Sequence, residues 1–258
     1  MSITPLICKM EVQYIIQART KSTRLPDKIL MKIGDKILIQ HIIDRLLLGG
    51  AKKSEICFAL AEENRTDVCD FLDRQGILWM CGDVYNVLAR YIQASRDLPE
   101  TGLVVRLTGD NPFIDFRCLK SNLEICQADE SIDFSYPYKL PLGMGFEIIR
   151  KKALLNQIKF DLKPHHMEHV TSFIKENKSL FNIKQVDYYQ IPCDIRLTVD
   201  YPEDLEQARK VYAYFINKKE EGFCSKEIFA LYEENPEFFS LNSMIKQKMA
   251  TEYDSKFN

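Results

Sequence analysis

The 258-residue chain is 46% apolar and 28% charged, with a formal net charge of −2. This is ordinary globular composition, long enough for one large domain whose core needs no metal or disulfide staple. The near-neutral balance supplies no global basic field for nucleic acid, and no apolar run approaches the ~20 residues of a bilayer span, so neither partner is expected.

In chain order, Val12 to Gln17 is a short apolar run rich in β-branched and aromatic residues, the pattern of a buried strand. A polar, basic loop follows from Ala18 to Lys28, and Ile37 to Leu48 then places apolar residues at helical spacing. Glu55 to Leu60 reads as a second strand, Thr66 to Arg74 as a helix, Leu78 to Cys81 as a short strand and Asp83 to Ser95 as a helix. Leu103 to Thr108 predicts a strand and Phe116 to Ala128 a helix. This alternation predicts an α/β fold, a Rossmann-like, mostly parallel sheet flanked by helices.

Beyond Asp129 the alternation loosens. Asp133 to Tyr136 and Phe146 to Ile149 read as strands around a loop with Pro137, Pro141, Gly143 and Gly145. Met167 to Lys175 predicts one helix and Ile195 to Val199 a strand. Pro202 then opens a helix to about Asn217, a favoured place for proline. The tail from Cys224 to Asn258 reads as helical, then frayed and polar. The expected organisation is a single domain over 1–217, with a small β-containing insertion at about 130–190, and a helical extension over 218–258.

Eight cysteines (Cys8, Cys57, Cys69, Cys81, Cys118, Cys126, Cys193 and Cys224) form no C-x-x-C pair. That argues against a zinc knuckle and fits a reducing compartment. The first residues also lack a basic region and cleavage site, so a cytoplasmic location is expected.

Three groups of residues have the chemistry of a site. The first is the loop ARTKSTRLPDK, with Arg19, Lys21, Arg24 and Lys28 beside Ser22 and Thr23. Arginine can grip phosphate oxygens bidentately and lysine acts as a point charge, so the loop suits a triphosphate; a merely solvated basic loop is the alternative. It is neither a Walker A loop nor G-x-G-x-x-G. The second is a pair of matching segments, VVRLTGD ending at Asp110 and DIRLTVD ending at Asp200. Strand periodicity puts Arg106, Thr108 and Asp110 on one face, and Arg196, Thr198 and Asp200 likewise. Two carboxylates at strand C-terminal ends suit Mg²⁺, although each could be only a turn or helix-entry residue. The third is His165-His-Met-Glu-His169, whose outer histidines would share a helical face; a zinc centre would need a third ligand that the sequence does not identify. His41 and Trp79 read as packing residues.

Five segments in order, IIQARTKSTRLPDKIL, GDVYNVLARY, VVRLTGDNPFID, MEHVTSFI and DIRLTVDYPEDLEQAR, resemble the SpsF-like branch of the cytidylyltransferases, relatives of the CMP-KDO and CMP-sialic acid synthetases. The resemblance implies a fold of the nucleotide-diphospho-sugar transferase type, with an acceptor and dimerisation insertion and a possible homodimer. It implies Mg²⁺-dependent transfer of CMP from CTP to an acidic sugar or related acceptor, with pyrophosphate released. It further implies that Ala18, Arg19, Ser22, Arg24, Lys28 and Arg90 bind nucleotide, with Arg19, Lys28 and Asp110 catalytic. Asp110 and Asp200 would hold the metal, and Glu147 and His169 would face the acceptor. Two positions depart from the pattern, since SpsF-like loops usually carry glycine where Lys21 and Asp27 stand. Asp27 adds negative charge beside Lys28 and resists positive φ. A nucleotide-sugar pyrophosphorylase using another nucleotide, or a non-catalytic nucleotide-binding protein, are the alternative readings.

Overall fold

A computed structural model describes residues 11–61, 66–188 and 195–247. The elements run β1 (Val12–Ala18), a hairpin of β2 (Lys32–Ile33) and β3 (Lys36–Ile37), α1 (Leu38–Leu48), β4 (Ile56–Ala61), α2 (Thr66–Gln75), β5 (Leu78–Gly82) and α3 (Val87–Ala94). They continue with β6 (Leu103–Thr108), α4 (Phe116–Ala128), β7 (Phe134–Tyr138), β8 (Glu147–Arg150), α5 (Lys151–Asn156), α6 (Pro164–His169) and α7 (Ser172–Glu176). The last are β9 (Ile183–Asp187), α8 (Pro202–Asn217) and α9 (Ser225–Glu234).

Seven strands form one sheet in the order β5-β4-β1-β6-β8-β7-β9. β1 pairs in parallel with β4 on one side and β6 on the other, while β8 runs antiparallel to both β6 and β7. The chain therefore builds outward from β1 in one direction, then returns to build from β6 in the other. The crevice between the C-terminal ends of β1 and β6 is the switch point where open α/β sheets take ligands. The basic loop leaves β1 there, and Asp110 follows β6.

Period-2 alternation divides the core. Tyr14, Ile16, Val105 and Leu107 pack on one face with α1, α4 and α8, whereas Ile15 and Val104 pack on the other with Leu88 and Tyr91 of α3. Each fully buried aliphatic side chain here contributes roughly 1.5–3 kcal/mol. The Tyr91 hydroxyl donates toward the carbonyls of Ile15 (3.1 Å) and Leu107 (2.8 Å), tying α3 across the β1–β6 seam. Residues past 217 also join the core, including Phe223, Ile228 and Phe239.

Several expectations need correction. The helix expected from Asp83 begins only at Val87, because Asp83 Oδ1 accepts the Tyr85 and Asn86 amides and Asn86 caps the helix through the Ala89 amide. The single helix over 167–175 is two, α6 and α7, broken at Val170 (φ 57°, ψ −49°), with Thr171 N–H donating to His169 O at 2.5 Å. This is a γ-turn with positive φ on a β-branched residue, a strained conformation costing on the order of 1–3 kcal/mol. The strand expected at 195–199 is an extended segment outside the sheet, with an isolated bridge between Arg196 and Leu142. β9 was not anticipated; it is the exposed sheet edge, and its alternation of Ile183, Gln185 and Asp187 gives no buried face to read. The expected frayed end after Gln247 lies outside the described residues. Among the described residues no helix is long and apolar enough to cross a membrane.

Candidate active site

The switch point opens into a cleft of about 340 Å³. From the first half of the sheet, Ala18, Arg19, Ser22, Arg24 and Lys28 of the basic loop line it, with Arg90 of α3. From the second half come Arg106, Asp110, His169 and Asp200. Thr108, Arg196 and Thr198 also line the cleft, so both matching segments present to it the face that strand periodicity assigns them.

The loop is shaped by its own backbone. Thr20 is buried, and its carbonyl accepts the amides of both Ser22 and Asp27 at 2.9 Å. Asp27 then takes the left-handed conformation (φ 57°) as the chain enters the 3-10 turn Lys28–Leu30. The expectation that Asp27 resists positive φ is thus corrected: the bend needs that conformation, and aspartate tolerates it better than most residues other than glycine.

At the centre, Lys28 Nζ donates to Asp110 Oδ2 (3.0 Å) and Asp200 Oδ1 (2.7 Å), bringing together residues 82 and 172 positions away in sequence. Burial pulls the Lys28 ammonium down, but Asp110 and Asp200 outweigh it and hold its pKa above the ordinary value. Burial likewise pushes the Asp200 carboxyl up; Lys28 and Arg24 override that and hold it low. Arg24 Nη2 lies 2.9 Å from Asp200 Oδ1 and its guanidinium 5.0 Å from the centre of the Tyr201 ring, a cation–π contact.

The extended segment before Asp200 is fixed by side chains and a close backbone approach. Val199 N–H donates to Asp110 O (2.8 Å) and Leu197 N–H to Leu142 O (2.7 Å). Gly143 (φ +100°) sits so close that a Cβ would fall 2.3 Å from Leu197 C and Thr198 N. Arg196 pairs bidentately with buried Asp204 (2.8 and 3.0 Å), and Asp204 also accepts the amides of Asp200 and Tyr201 at the start of α8.

Arg90 is buried, and its Nη1 donates to Ala59 O at 2.7 Å. Its Nε has no hydrogen-bond partner among the described residues; the same holds for Arg106 Nε and Gln17 Oε1, all on residues lining the cleft. Each buried donor or acceptor left unmatched costs about 1–3 kcal/mol, which ligand atoms would offset.

Glu147 is not on the cleft lining. It lies beneath, accepting Arg106 Nη1 and Thr171 Oγ1 on Oε2 (both 2.8 Å), with the Lys175 ammonium on Oε1. Burial raises the Glu147 carboxyl, but Arg106 and Lys175 outweigh it and bring its pKa to about 2.

His165 and His169, expected to act on one face, go separate ways. His169 lines the cleft, while buried His165 and His166 both meet Glu176, at 2.9 and 2.8 Å. Glu176 is the third group that the sequence did not identify. His166 Nδ1 accepts the Lys163 amide (3.0 Å), which puts the ring proton on Nε2, facing the carboxylate. The His166 ring so engaged has no free lone pair for a metal, and it caps α6 instead.

Sequence reasoning singled out Asp110, Asp200 and the basic loop, but not the function of Arg106, Thr171, Lys175, Gly143 or Asp204. The period-2 reading of VVRLTGD was the one signal that could have found Arg106.

A basic loop and two carboxylates converging at the switch point of a mostly parallel sheet define a nucleotidyltransferase site. The chain belongs to the cytidylyltransferase family, whose profile matches residues 13–250. It is 26% identical over 235 residues to the spore coat polysaccharide biosynthesis protein SpsF of Bacillus subtilis, covering 88% of this chain and 96% of that one. A cytidylyltransferase structure from Leptospira borgpetersenii superposes with a TM-score of 0.82 at 26% identity, covering 92% of this chain and 100% of the other. A CMP:2-keto-3-deoxy-manno-octonic acid synthetase complexed with CTP shares the fold with a TM-score of 0.62 at 19% identity, over 79% and 99% of the two chains.

Proposed function

We propose that the protein transfers CMP from CTP to an acidic sugar or related acceptor in surface polysaccharide or glycoconjugate biosynthesis, with Mg²⁺. The observation that carries this reading is the single ammonium of Lys28 shared by Asp110 and Asp200 at the mouth of the switch-point crevice. Two hard carboxylate oxygens already converge on one cation there, which is the donor set Mg²⁺ takes beside phosphate oxygens. Asp110 and Asp200 would hold the ion, which supplies charge neutralisation at the α-phosphate.

The chain's own residues do the rest. Arg19 and Lys28 neutralise the β- and γ-phosphates, Lys28 exchanging carboxylate partners for phosphate oxygens as nucleotide enters. Arg24 stays beside Asp200, and Ser22 and Ala18 form the loop wall. An acceptor hydroxyl oxygen bonds to the α-phosphorus, the bond to the β-phosphate oxygen breaks, and pyrophosphate departs. The hydroxyl proton passes to solvent. Positioning and charge stabilisation supply most of such a rate enhancement, so no protein nucleophile is needed.

Several relatives that match 41–43% of this chain are 3-deoxy-manno-octulosonate cytidylyltransferases, which supports this acceptor class. The test is pyrophosphate release with Mg²⁺ and each nucleoside triphosphate against a panel of 2-keto sugar acids, sugar phosphates and neutral sugars. Release with CTP and an acidic sugar is expected; release with UTP but not CTP would replace the reading by a pyrophosphorylase.

A further inference from the structure

We propose that Arg106 receives the anionic group of the acceptor, a carboxylate or phosphate, and that Glu147 is its positioning residue. This deepens the reading above and rests on it.

The two arginines of the matching segments make the case. Arg196 is fully occupied by the protein: Nε and Nη2 grip Asp204, and Nη1 donates to Gln247 Oε1 at 2.6 Å. Arg106, at the equivalent position of VVRLTGD, has one arm held. Its Nη1 donates to Glu147 Oε2, its Nε is buried without a partner among the described residues, and the side chain lines the cleft. A guanidinium braced at one corner, on a side chain that lines the cleft, can donate its remaining N–H groups to the oxygen atoms of a ligand.

The partners of Glu147 point the same way. Arg106 and Lys175 share the one carboxylate of Glu147, whose two oxygens are both engaged by protein donors. Glu147 therefore has no oxygen directed at a sugar. The notional acceptor contact passes from Glu147 to the arginine it braces.

Position separates this subsite from the nucleotide's. The phosphate-binding cations belong to the loop after β1, on the first half of the sheet. Arg106 lies on β6, Glu147 opposite it on antiparallel β8, and His169 on α6, all on the second half. Asp110 and Asp200 lie between the two. An acceptor anchored on Arg106 would extend its hydroxyl toward the α-phosphate from the side opposite the loop. The γ-turn at Val170 serves the same arrangement, because it lets His169 line the cleft while Thr171 reaches Glu147.

The test uses the Nε–H signals of the arginines in ¹⁵N-edited spectra of the full chain, that of Arg106 being assigned by its loss in Arg106→Lys. The protein is titrated first with CTP without added metal, so that no turnover intervenes, and then with 3-deoxy-manno-octulosonate, glucose 1-phosphate or glucose. The Arg106 signal is expected to move with the carboxylate probe, the phosphate probe or both, and to ignore CTP and glucose. Movement with CTP alone, or no response to either anion, overturns the proposal. With any acceptor that turns over, Arg106→Lys keeps a charge beside Glu147 and should raise the acceptor KM on the order of 10–100-fold, the CTP KM staying unchanged. Glu147→Gln should raise the acceptor KM by a smaller factor, again without moving that of CTP. A signal that responds to anions while no triphosphate yields pyrophosphate would leave the subsite standing and sink the transfer reaction instead.

Discussion

The segments VVRLTGD and DIRLTVD share a sequence pattern and end on the two carboxylates that meet at Lys28, yet the fold builds them differently. The first is a ladder strand, β6, paired with β1 on one side and β8 on the other. The second is extended chain held by one bridge, two backbone bonds to neighbouring loops and the Arg196–Asp204 clamp. An apolar alternation ending in aspartate therefore specifies an extended backbone and a face, not a place in a sheet. Asp110 is carried on a rigid strand end with its side chain 28% exposed; Asp200 is 10% exposed and contacts Lys28, Arg24 and Arg196.

That contrast predicts two kinds of loss. Asp110→Ala should lower the rate of pyrophosphate release on the order of 10²–10³-fold. Its melting temperature should change little, because a partly exposed group with its principal tie to one lysine is removed. Asp200→Ala should lose activity as severely and also destabilise by roughly 3 kcal/mol, since three cations lose a shared, mostly buried partner. Equal melting temperatures for the two variants would break the comparison.

The next effect concerns what holds the second segment. Gly143→Ala would place a methyl 2.3 Å from the backbone of Leu197 and Thr198, at a φ of +100°. Neither backbone atom can swing aside like a side-chain end, so the segment must shift. A loss on the order of 3 kcal/mol is expected in denaturant unfolding, with reduced turnover as Asp200 moves. Wild-type stability would show that the segment is less tightly seated than its side-chain clamp implies.

How legible each region was follows from where its determinants lie. The βα units from β1 to α4 were readable because β1, β4 and β6 are largely buried apolar runs, the exposed edge strand β5 being the exception, and each helix carries a local apolar stripe. The second half is set by contacts distant in sequence. Glu147 meets Arg106 across 41 positions, and Asn242 reaches across 46 to the Arg196 carbonyl. The break at Val170 is equally invisible in MEHVTSFI, because a β-branched residue gives no local reason for positive φ. The site residues were legible further than the architecture around them, because charged residues at strand ends announce themselves whatever fixes the strand.

The arginines of the two segments differ in a way that pH can sharpen. Glu147, beneath Arg106, is held from an ordinary 4.5 down to about 2. A depressed carboxylate stabilises the fold fully above its unfolded value and loses that contribution as pH falls toward the folded one. Stability should therefore decline between about pH 4.5 and 2. Glu147→Gln should cost on the order of 2 kcal/mol at pH 7, with Arg106 and Lys175 no longer offset, and should flatten that acid limb. An unchanged acid limb in the variant would assign it to other carboxylates.

The smallest effect bears on Lys28, the residue that joins both segments. Asp27 holds the left-handed bend before it, where glycine would carry no steric penalty and no charge. Asp27→Gly relieves the positive-φ cost but gives back chain entropy in the unfolded state, so these two backbone effects nearly cancel. Electrostatics does not cancel, because one negative charge leaves the residue next to the shared ammonium. CTP affinity, measured by calorimetry at low salt, should rise by a factor of about two to five and converge on wild type as added salt screens the charge. If the gain persists unchanged at high salt, it arises from the backbone bend rather than from charge; if there is no gain at any salt, Asp27 lies outside the field that the triphosphate feels.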